Sequence, residues 1–592
     1  MTAPPHLRRW VTLVVLGIVL VAALAAGLML RDALVAQRAL ERGRADLSRA
    51  RTAITEGDLP AARARLATAQ ESTATARAAT SGPLWRLTRH LPLLGPTITA
   101  ISTTADVSDQ VASRVLPSLV GAANGLDLPA LRNGDGLRLG PLAAAAPTLA
   151  RAAREVAAQD RRIAGLKGPL PARVREGVSL LGDQLDQLTA SLRSGAAVAE
   201  LVPPLLGDSG RKRYLVVIEN PAEARGTGGL IGAYGVLVAD HGQVSLSRLG
   251  PNGDLASASS LPVDLGPDFA ALYGNDPALW GNANLSPHFP DAATIWLELW
   301  RRQFGERLDG VIATDPIALG HLVGAVGPVT LPDGTQLTGA TTATFVMQDA
   351  YRRFPTAKEA PARDRLLVQV GRAAVERILS PTADTGALVG ALRSSVAEGR
   401  LLAFSTDDAL ERQLLATSVG GGLDGSPGPA LSVIVNNGAA NKLDVYLDRH
   451  VTWQLGPCYG GRRGARITVR LTNTAPPTGL PPYVTGQPIR SEPGGPALPR
   501  GSNRELVTVF TSRGSRLTGA ELDGRPVGVG TGRLHGRTAT TVTMDLAPGG
   551  ASTLVLQTTE PAATGRPLVQ TQPLVRPQET VVDGRSCRPS SR

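Results

Sequence analysis

An uncharged apolar run near the N-terminus constrains this 592-residue chain more than any other feature. Residues 10–30 contain no Asp, Glu, Lys or Arg and consist mainly of Val, Leu and Ala. A helix needs about 20 apolar residues to cross the hydrocarbon core of a bilayer, so this run is predicted to be a transmembrane helix. Two arginines precede the run, whereas the opposite charges of Arg31 and Asp32 cancel at its C-terminal end. The positive-inside rule then keeps residues 1–9 in the cytoplasm and places the chain beyond Arg31 outside.

A cleavable signal peptide is the alternative interpretation of the same run. Its apolar core would be shorter and followed by a small-residue cleavage site, for which the alanines from Ala23 to Ala26 are suitable. No later segment is long and apolar enough to span a bilayer. The sequence therefore predicts a cell-membrane protein with a single signal-anchor helix and an extracytoplasmic bulk.

Composition excludes two broad classes of protein. Hydrophobic residues make up 43% and charged residues 19% of the chain, which excludes a mostly disordered protein. Basic residues exceed acidic ones by 11, and nearly all are Arg, which together with abundant Ala and Gly is typical of a GC-rich, actinobacterial genome. The excess charge is either ordinary for so long a chain or favours anionic partners such as lipid headgroups, envelope polymers and pyrophosphates. No basic run with interleaved aromatics occurs, so nucleic acid is not expected as a partner.

Residues 31–204 are predicted to form a helical, membrane-proximal region. Leu40, Leu47 and Ile54 recur every seven residues among Arg, Glu and Ala, as in the seam of a coiled coil or helical hairpin. Residues 57–60, Gly-Asp-Leu-Pro, should end the first helix. Further helices are predicted in the remainder of the region, which suggests a stalk.

Two domains are predicted beyond the stalk. Between residues 205 and 425, short apolar runs of strand length alternate with helical segments, which indicates an α/β domain. Within it, Asp240-His-Gly242 separates two strand-like runs as a hairpin turn would. Residues 426–592 carry alternating strand patterns and many Pro/Gly turns, which predicts a β-sandwich-like domain with an extended, Pro-rich tail. The chain is thus predicted to be a multidomain α+β protein.

The cysteine content agrees with export. Cys458 and Cys587 are the only cysteines, and they do not form a Cys-x-x-Cys motif. Because a compartment outside the cytoplasm permits disulfides, we predict a Cys458–Cys587 bridge that ties the tail to its domain. The alternative is a pair of unlinked thiols.

Signatures of known chemistry are scarce. The sequence has neither a Walker loop nor a Gly-x-Ser-x-Gly elbow. Its seven histidines are scattered without metal-ligand spacing, so neither a metal nor another cofactor is expected. Magnesium is considered only for the case that the protein is an enzyme.

The most informative segment surrounds Arg225. A strand is predicted to end near Glu219, and Arg225 then precedes three glycines, Gly226, Gly228 and Gly229. The backbone N–H groups of such glycines can form an anion-binding nest, and the planar guanidinium group binds phosphate through two parallel hydrogen bonds. Alternatively, Arg225 pairs with Glu219 or Glu223, and the glycines only make a tight turn.

The run from Arg213 to Gly235 resembles the signature of an uncharacterised bacterial family, the domain of unknown function numbered 4012. Three further segments fit the same family: Asn284–Pro290, Asp309–Pro316 and Asn473–Pro476. The resemblance extends from the anchor through the β-rich domain, but it implies no activity.

Residues 214–380 have a more remote resemblance to the LytR-CpsA-Psr domain, whose members transfer glycan polymers from polyprenyl-pyrophosphate carriers to the cell wall. Arg225-Gly-Thr227 stands in place of that family's Arg-Ser-Asp turn, and Arg248–Asp254 resembles its Ser-Ile-Pro-Arg-Asp segment. Arg363-Asp-Arg365 weakly resembles the start of an Arg-rich helix in that family. Because the family's metal-binding Asp is Thr227 here, the resemblance implies the fold more than it implies magnesium-dependent catalysis.

Three functions are considered. The first is a binding or assembly protein of the cell envelope that holds an anionic glycolipid or polymer, such as a polyprenyl phosphate. Its ligand-binding residues would be the arginines of the α/β domain, Arg225, Arg352, Arg353, Arg363 and Arg365. The second is a glycan phosphotransferase in which Asp254 or Asp364 binds a metal or acts as a base. The third is a structural role in which the stalk and the β-rich domain engage partner proteins. The four later arginines also have an ordinary alternative as solvated helix faces.

Overall fold

The computed structural model of the chain describes residues 5–55, 58–125, 131–133, 136–380, 382–423, 425, 428–490, 495–584 and 587. The protein is a mixed α+β protein with several sheets and a long N-terminal helix. It divides into two compact units, one of Met1–Leu131 with Arg138–Pro203 and one of Arg132–Leu137 with Pro204–Arg592.

The first unit is helical. Its helices are α1 (Pro5–Thr55), α2 (Leu59–Ala79), α3 (Pro83–Thr88), α4 (Gly95–Gln110), α5 (Leu116–Gly125), α6 (Leu139–Ala164) and α7 (Ala172–Leu205). A π-helical segment, Val111–Val115, joins α4 to α5. The predicted break after α1 is confirmed, since Asp58 caps α2 by accepting a hydrogen bond from the backbone N–H of Ala61 at 2.9 Å.

Helices α1 and α2 form a hairpin whose seam consists of small residues. Ala36, Ala39 and Gly43 are buried on α1, whereas the predicted seam residues Leu40 and Leu47 are only half-buried at its margin. A Cβ atom on Gly43 would already lie 3.3 Å from the Cγ2 atom of Thr73, so the helices are too close for leucine between them. The predicted helical pairing is confirmed and Leu40 packs against its seam, but small residues rather than leucines form the centre of the seam. The side chain of Ile54 lies outside the described residues.

The N-terminal part of α1 is a candidate membrane span. Among the described residues, one helix, over Leu13–Ala50, is long and apolar enough to cross a bilayer. Its apolar side chains are exposed, with Leu20 at 73% and Val21 at 67%. A contiguous exposed surface of this kind is typical of a helix in contact with lipid or with a partner.

The second unit contains the remaining helices and all the strands. The helices are α8 (Pro267–Tyr273), α9 (Phe289–Phe304), α10 (Pro316–Val326), α11 (Gly339–Thr344), α12 (Ala350–Arg353), α13 (Ala360–Leu379), α14 (Thr385–Ala397), α15 (Asp408–Leu415) and α16 (Pro482–Thr485). The strands are β1 (Arg132–Asn133), β2 (Gly136–Leu137), β3 (Lys212–Arg225), β4 (Gly228–Asp240), β5 (Gln243–Pro251), β6 (Gly310–Thr314), β7 (Val329–Thr330), β8 (Gln336–Leu337), β9 (Leu401–Ser405), β10 (Ala430–Asn437), β11 (Leu447–Tyr459), β12 (Arg462–Asn473), β13 (Asn503–Arg513), β14 (Arg516–Leu522), β15 (Arg525–Pro526), β16 (Gly530–Leu534), β17 (Arg537–Leu546), β18 (Ala551–Pro561), β19 (Leu568–Thr571) and β20 (Gln578–Asp583).

A seven-stranded sheet forms the first half of this unit. Its order is β1-β2-β5-β4-β3-β6-β9, and only β3 and β6 run parallel. The predicted hairpin at Asp240–Gly242 is confirmed, because His241 and Gly242 adopt the left-handed backbone that such a turn requires. Alternate residues of β3 face opposite sides, so Leu215 packs with α9, whereas Ile218 faces Gly371 of α13.

Two further sheets pack against one another through a shared hydrophobic cluster that includes Trp453. Their orders are β16-β17-β13-β10-β19 and β15-β14-β18-β12-β11-β20. The extended tail adds one strand to each sheet, since β19 pairs with β10 and β20 with β11, both in parallel. The predicted Cys458–Cys587 disulfide is confirmed, with Cα atoms 5.8 Å apart across a sequence separation of 129.

Candidate functional site

The segment around Arg225 differs from its predicted form. Strand β3 does not end near Glu219 but continues to Arg225, with irregular register after Ile218 and after Asn220. These irregularities accommodate Pro221, which has no backbone N–H to donate to β4. A two-residue turn, Gly226-Thr227, then leads directly into β4.

Arg225 points into the protein and is 5% exposed. Its Nη2 donates to Glu223 Oε1 at 2.9 Å, and its Nη1 donates to the backbone oxygens of Ala224 and Asn437 at 2.8 and 3.2 Å. Its Nε lies 3.0 Å from the backbone oxygen of Gly281. The guanidinium group therefore ties the hairpin to neighbouring segments and has no open face for a ligand.

The glycines of this turn are required for close packing. A Cβ atom on Gly226 would lie 2.4 Å from the backbone oxygen of Leu285, and one on Gly229 would lie 2.2 Å from the backbone carbon of Asn220. Gly228 has a positive φ and would bring a Cβ atom against Glu219. The geometry thus favours the tight turn over the predicted anion-binding nest.

A buried carboxylate lies behind the turn. Glu219 accepts hydrogen bonds from Thr227 Oγ1 at 2.6 Å and from Asn284 Nδ2 at 3.1 Å. Burial raises the pKa of Glu219 to about 7, although these donors oppose the rise. Glu219 lines a cavity of about 10 Å³ together with Asp315, which pairs with Arg400 at 2.6 Å. That volume is sufficient for about one water molecule.

Arg363 is the predicted ligand-binding residue with the most unusual environment. It lies in the first turn of α13, is 3% exposed, and has its guanidinium carbon 3.9 Å from the ring centroid of Tyr483 and 4.8 Å from that of Tyr351. Its Nη2 contacts Asp364 Oδ1 at 3.4 Å. Its Nε and Nη1 atoms are buried without a hydrogen-bond partner among the residues that the structure describes.

A buried ion-pair network connects the Arg363 cluster with Arg225. Lys442 donates to Glu223, which also accepts from Arg225, and Tyr351 accepts a hydrogen bond from Asn220 at 2.9 Å. Burial alone would lower the pKa of Lys442, but the Glu223 carboxylate outweighs it and the pKa is raised. The pKa of Glu223 is lowered, because its two cationic neighbours overcome the effect of burial. Both groups are therefore charged.

The two predicted catalytic carboxylates lie within electrostatic range of one another. Partial burial raises the pKa of Asp364, and the negative charge of Asp254 adds to this rise, whereas Arg363 and Lys442 oppose it. Asp364 thus lies beside Arg363 and within electrostatic range of Asp254.

The remaining predicted arginines lie on the surface. Arg352 pairs with Asp349 and Arg353 with Asp333, each at 2.6 Å, and their side chains are 54% and 47% exposed. Arg365 is exposed on α13, two residues after Arg363. Their environment matches the solvated helix faces that the sequence left as the alternative.

Sequence reasoning missed Tyr351, Tyr483 and Lys442. A weak signal was present, because the chain has only seven tyrosines, and Lys442 is one of very few lysines in a chain whose basic residues are mostly Arg. The contacts themselves join segments that are far apart in the sequence, so no local pattern reveals them.

A second cluster was also missed. Possible ligand atoms of His288, Asp291 and His535 lie within 4.8 Å of one another, and His535 Nε2 is 3.2 Å from both carboxylate oxygens of Asp291. However, His288 Nδ1 accepts a hydrogen bond from the backbone N–H of Leu423 at 2.9 Å, which places the proton of the neutral ring on Nε2. Burial lowers the pKa of His288 to about 4, so the ring is neutral. A metal ion on Nε2 would require the proton on Nδ1, which faces the N–H of Leu423. The cluster therefore fits a metal ion poorly.

Comparison with protein families gives a match over residues 209–351 to the family described as "Protein of unknown function (DUF4012)". This segment belongs to the DUF4012 family. The DUF4012 segment includes the Arg225 hairpin, α9 and Tyr351, whereas Arg363, Lys442 and Tyr483 follow it in the sequence. The cluster around Arg363 is thus built partly from the DUF4012 segment and partly from the chain beyond it.

No curated protein matches the chain. Among solved structures, an M1 zinc metallopeptidase from Deinococcus radiodurans is 17% identical, over 20% of this chain and 22% of that chain, with a TM-score of 0.12. A mutant of an M1 zinc metallopeptidase from the same organism, bound to a Tyr-Ser-Ala substrate, is 16% identical over 20% and 21% of the two chains, with a TM-score of 0.13. The chain spans about a fifth of the length of these enzymes, and a likeness this weak supports no conclusion about fold or function.

Proposed function

We propose that this is a membrane-anchored, mainly extracytoplasmic protein of the cell envelope that binds an anionic group of a glycolipid or envelope polymer beside Arg363. The observation that carries the proposal is a pair of buried nitrogen atoms on this side chain, Nε and Nη1, that have no hydrogen-bond partner in the described part of the chain. The candidate span in α1 supports the location, and the arginine supports the chemistry of the ligand.

The buried donors of Arg363 are energetically unfavourable without a ligand. A buried donor without a partner costs about 1–3 kcal/mol, and more when the group is charged. Tyr351 and Tyr483 stabilise the positive charge through their rings, but the N–H bonds lie in the plane of the guanidinium group. A phosphate, pyrophosphate or carboxylate oxygen that binds in this plane would satisfy the donors while the rings remain in place.

The surrounding charge also favours an anion. Lys442 is the second buried cation beside Tyr351, and its partner Glu223 is already shared with Arg225. Asp364 is the nearby carboxylate of Arg363, but it is partly exposed, and its contact at 3.4 Å is long for a charge-assisted hydrogen bond. Positive charge is therefore incompletely compensated at this place.

A phosphotransferase that acts on polyprenyl-pyrophosphate-linked glycan is the second candidate function. The observation that favours it is the electrostatic coupling of Asp254 with Asp364 next to Arg363. Carboxylate oxygens are suitable magnesium ligands, and a cation beside the scissile phosphate would stabilise the charge of the transition state. The remote LytR-CpsA-Psr resemblance suggests the same chemistry, with these residues in place of the missing Asp at position 227.

Binding by the purified full chain tests the proposal, with inorganic pyrophosphate and a polyprenyl phosphate in detergent as the two probes. Arg363→Ala should weaken binding by about 1.5–3 kcal/mol, the range for hydrogen bonds to charged groups. Arg363→Lys should also bind weakly, because an ammonium group cannot supply two parallel donors.

Arg365→Ala is the matched control, since it removes the same charge from an exposed position on the same helix. Unchanged affinity of a folded Arg363→Ala variant for both probes would contradict the proposal. Turnover of a lipid-linked glycan that requires magnesium and is lost in Asp364→Asn would favour the enzyme instead.

A further inference from the structure

Four leucines in α3 and in the segment that joins it to α4 are exposed to an unusual degree. The exposed fractions are 72% for Leu87, 47% for Leu91, 86% for Leu93 and 58% for Leu94. Trp85 is 3% exposed and fixes the start of the segment. Single exposed leucines are common on protein surfaces, but four within eight residues are typical of a segment that contacts a partner or a membrane.

The packing of the first unit places this patch along α1. Ala36 and Ala39 of α1 form one buried cluster with Ala76 of α2 and Ala105 of α4, so these positions lie at the same level. Gln70, six residues before Ala76, donates to the backbone oxygen of Ala112, seven residues after Ala105, at 2.9 Å. Helices α2 and α4 therefore run antiparallel. Helix α4 therefore descends from this level towards its first residue, Gly95.

The distance along the helices identifies what lies beside the patch. Ten residues separate Gly95 from Ala105, which corresponds to about 15 Å of helix. The same distance along α1, measured back from the Ala36–Ala39 level, ends close to residues 26–29. The exposed leucines that precede Gly95 thus lie level with the end of the apolar run of α1, where a bilayer would pass from acyl chains to headgroups.

The charges of the segment match an anionic surface. Arg86, Arg89 and His90 are exposed among the leucines. No acidic residue occurs between Glu71 and Asp106. Apolar side chains combined with basic residues and no acidic ones are typical of segments that lie in the interface of a membrane with anionic lipids.

We propose that residues 83–94 form a second membrane contact, in which the four leucines enter the boundary between headgroups and acyl chains of an anionic bilayer. This inference rests on the proposed membrane span in α1. Two attachment points would prevent the helical unit from swinging about the end of the span. It would therefore keep a fixed orientation relative to the bilayer.

Fluorescence quenching with the full chain in vesicles of phosphatidylcholine and phosphatidylglycerol tests this contact. The two native cysteines form a disulfide, so a fluorophore attaches only to an introduced cysteine. Separate variants carry the fluorophore at Leu93→Cys, at Leu20→Cys in the span, and at Ala64→Cys. By the same register, Ala64 lies about 30 Å further from the membrane.

Nitroxide groups near the headgroups should quench the fluorophore at position 93, nitroxide groups deep in the acyl region should quench the one at position 20, and neither should quench the one at position 64. Quenching at position 20 without quenching at position 93 would overturn the proposed contact and leave the span intact. Absence of quenching at position 20 would overturn the span, and the contact with it. Leu91→Cys provides a second probe of the patch and should give the same result as Leu93→Cys.

Discussion

Replacement of Arg225 by Ala should destabilise the second unit, because this buried side chain links several segments of the unit through hydrogen bonds. The change removes one partner of a buried ion pair and leaves Glu223 with Lys442 alone. It also removes the donors to the backbone oxygens of Gly281 and Asn437.

The expected magnitude follows from these losses. Removing one partner of a buried ion pair typically costs about 3–5 kcal/mol, and each buried acceptor left unpaired adds about 1–3 kcal/mol unless water reaches it. Because Lys442 still neutralises Glu223, we expect a total of about 3–5 kcal/mol. Arg225→Lys should recover only part of this, since an ammonium group cannot contact all these acceptors.

Hydrogen exchange is the appropriate assay, because a chain with two units need not unfold in one step. Amides of β3 and β4 should lose protection by about 100- to 5,000-fold, which corresponds to the expected free energy. Arg352→Ala, which removes an exposed ion pair, is the matched control and should change protection little.

A double change with Glu223→Gln should cost less than the sum of the two single changes, because the residues are in direct contact. Near-native protection in Arg225→Ala would refute the structural role and restore Arg225 as a candidate ligand residue.

Three further results are expected. Cys458 and Cys587 should resist thiol labelling until reduced, and the bridge should contribute about 4–5 kcal/mol in the chain-entropy model; equal labelling with and without reductant would show free thiols. Protease added to intact spheroplasts should digest the chain beyond Arg31, and full protection of its C-terminal part would exclude the proposed topology. Burial raises the pKa of Glu219 from 4.5 to about 7, so its protonated form stabilises the fold at low pH and this contribution is lost as pH rises from about 4.5 to 7. Glu219→Gln should therefore make the melting temperature less dependent on pH in this window than in the unaltered protein.

Local signals in the sequence predicted local features of the structure. The end of α1 follows from Asp58 and Pro60, since a capping carboxylate and a proline in the first turn favour a new helix. The β4–β5 hairpin follows from Asp240-His-Gly242 in the same way. The disulfide could be predicted because two cysteines in a chain that is predicted to be exported allow only one pairing.

The environment of Arg225 could not be predicted in this way. Strand β3 continues past Pro221 because long-range pairing with β4 and the acceptors at Gly281 and Asn437 outweigh a local signal for a turn. The presence of glycines in the sequence does not distinguish a nest that binds an anion from a turn whose backbone packs closely against its neighbours. The distinction depends on Leu285, which lies 60 residues further along the chain.

The C-terminal tail imposes an order on how the second unit reaches its native state. Strands β19 and β20 complete the edges of two sheets, and the side chain of Gln572 between them bonds the backbone oxygens of Arg225 and Val435 at 2.6 and 2.8 Å. Both strands follow the other strands of these sheets in the chain, so β10 and β11 keep open hydrogen-bonding edges until residues 568–583 have been synthesised. Completion of the two sheets therefore comes after synthesis of their other strands, and a truncation before Leu568 would leave an aggregation-prone intermediate rather than a slightly smaller domain.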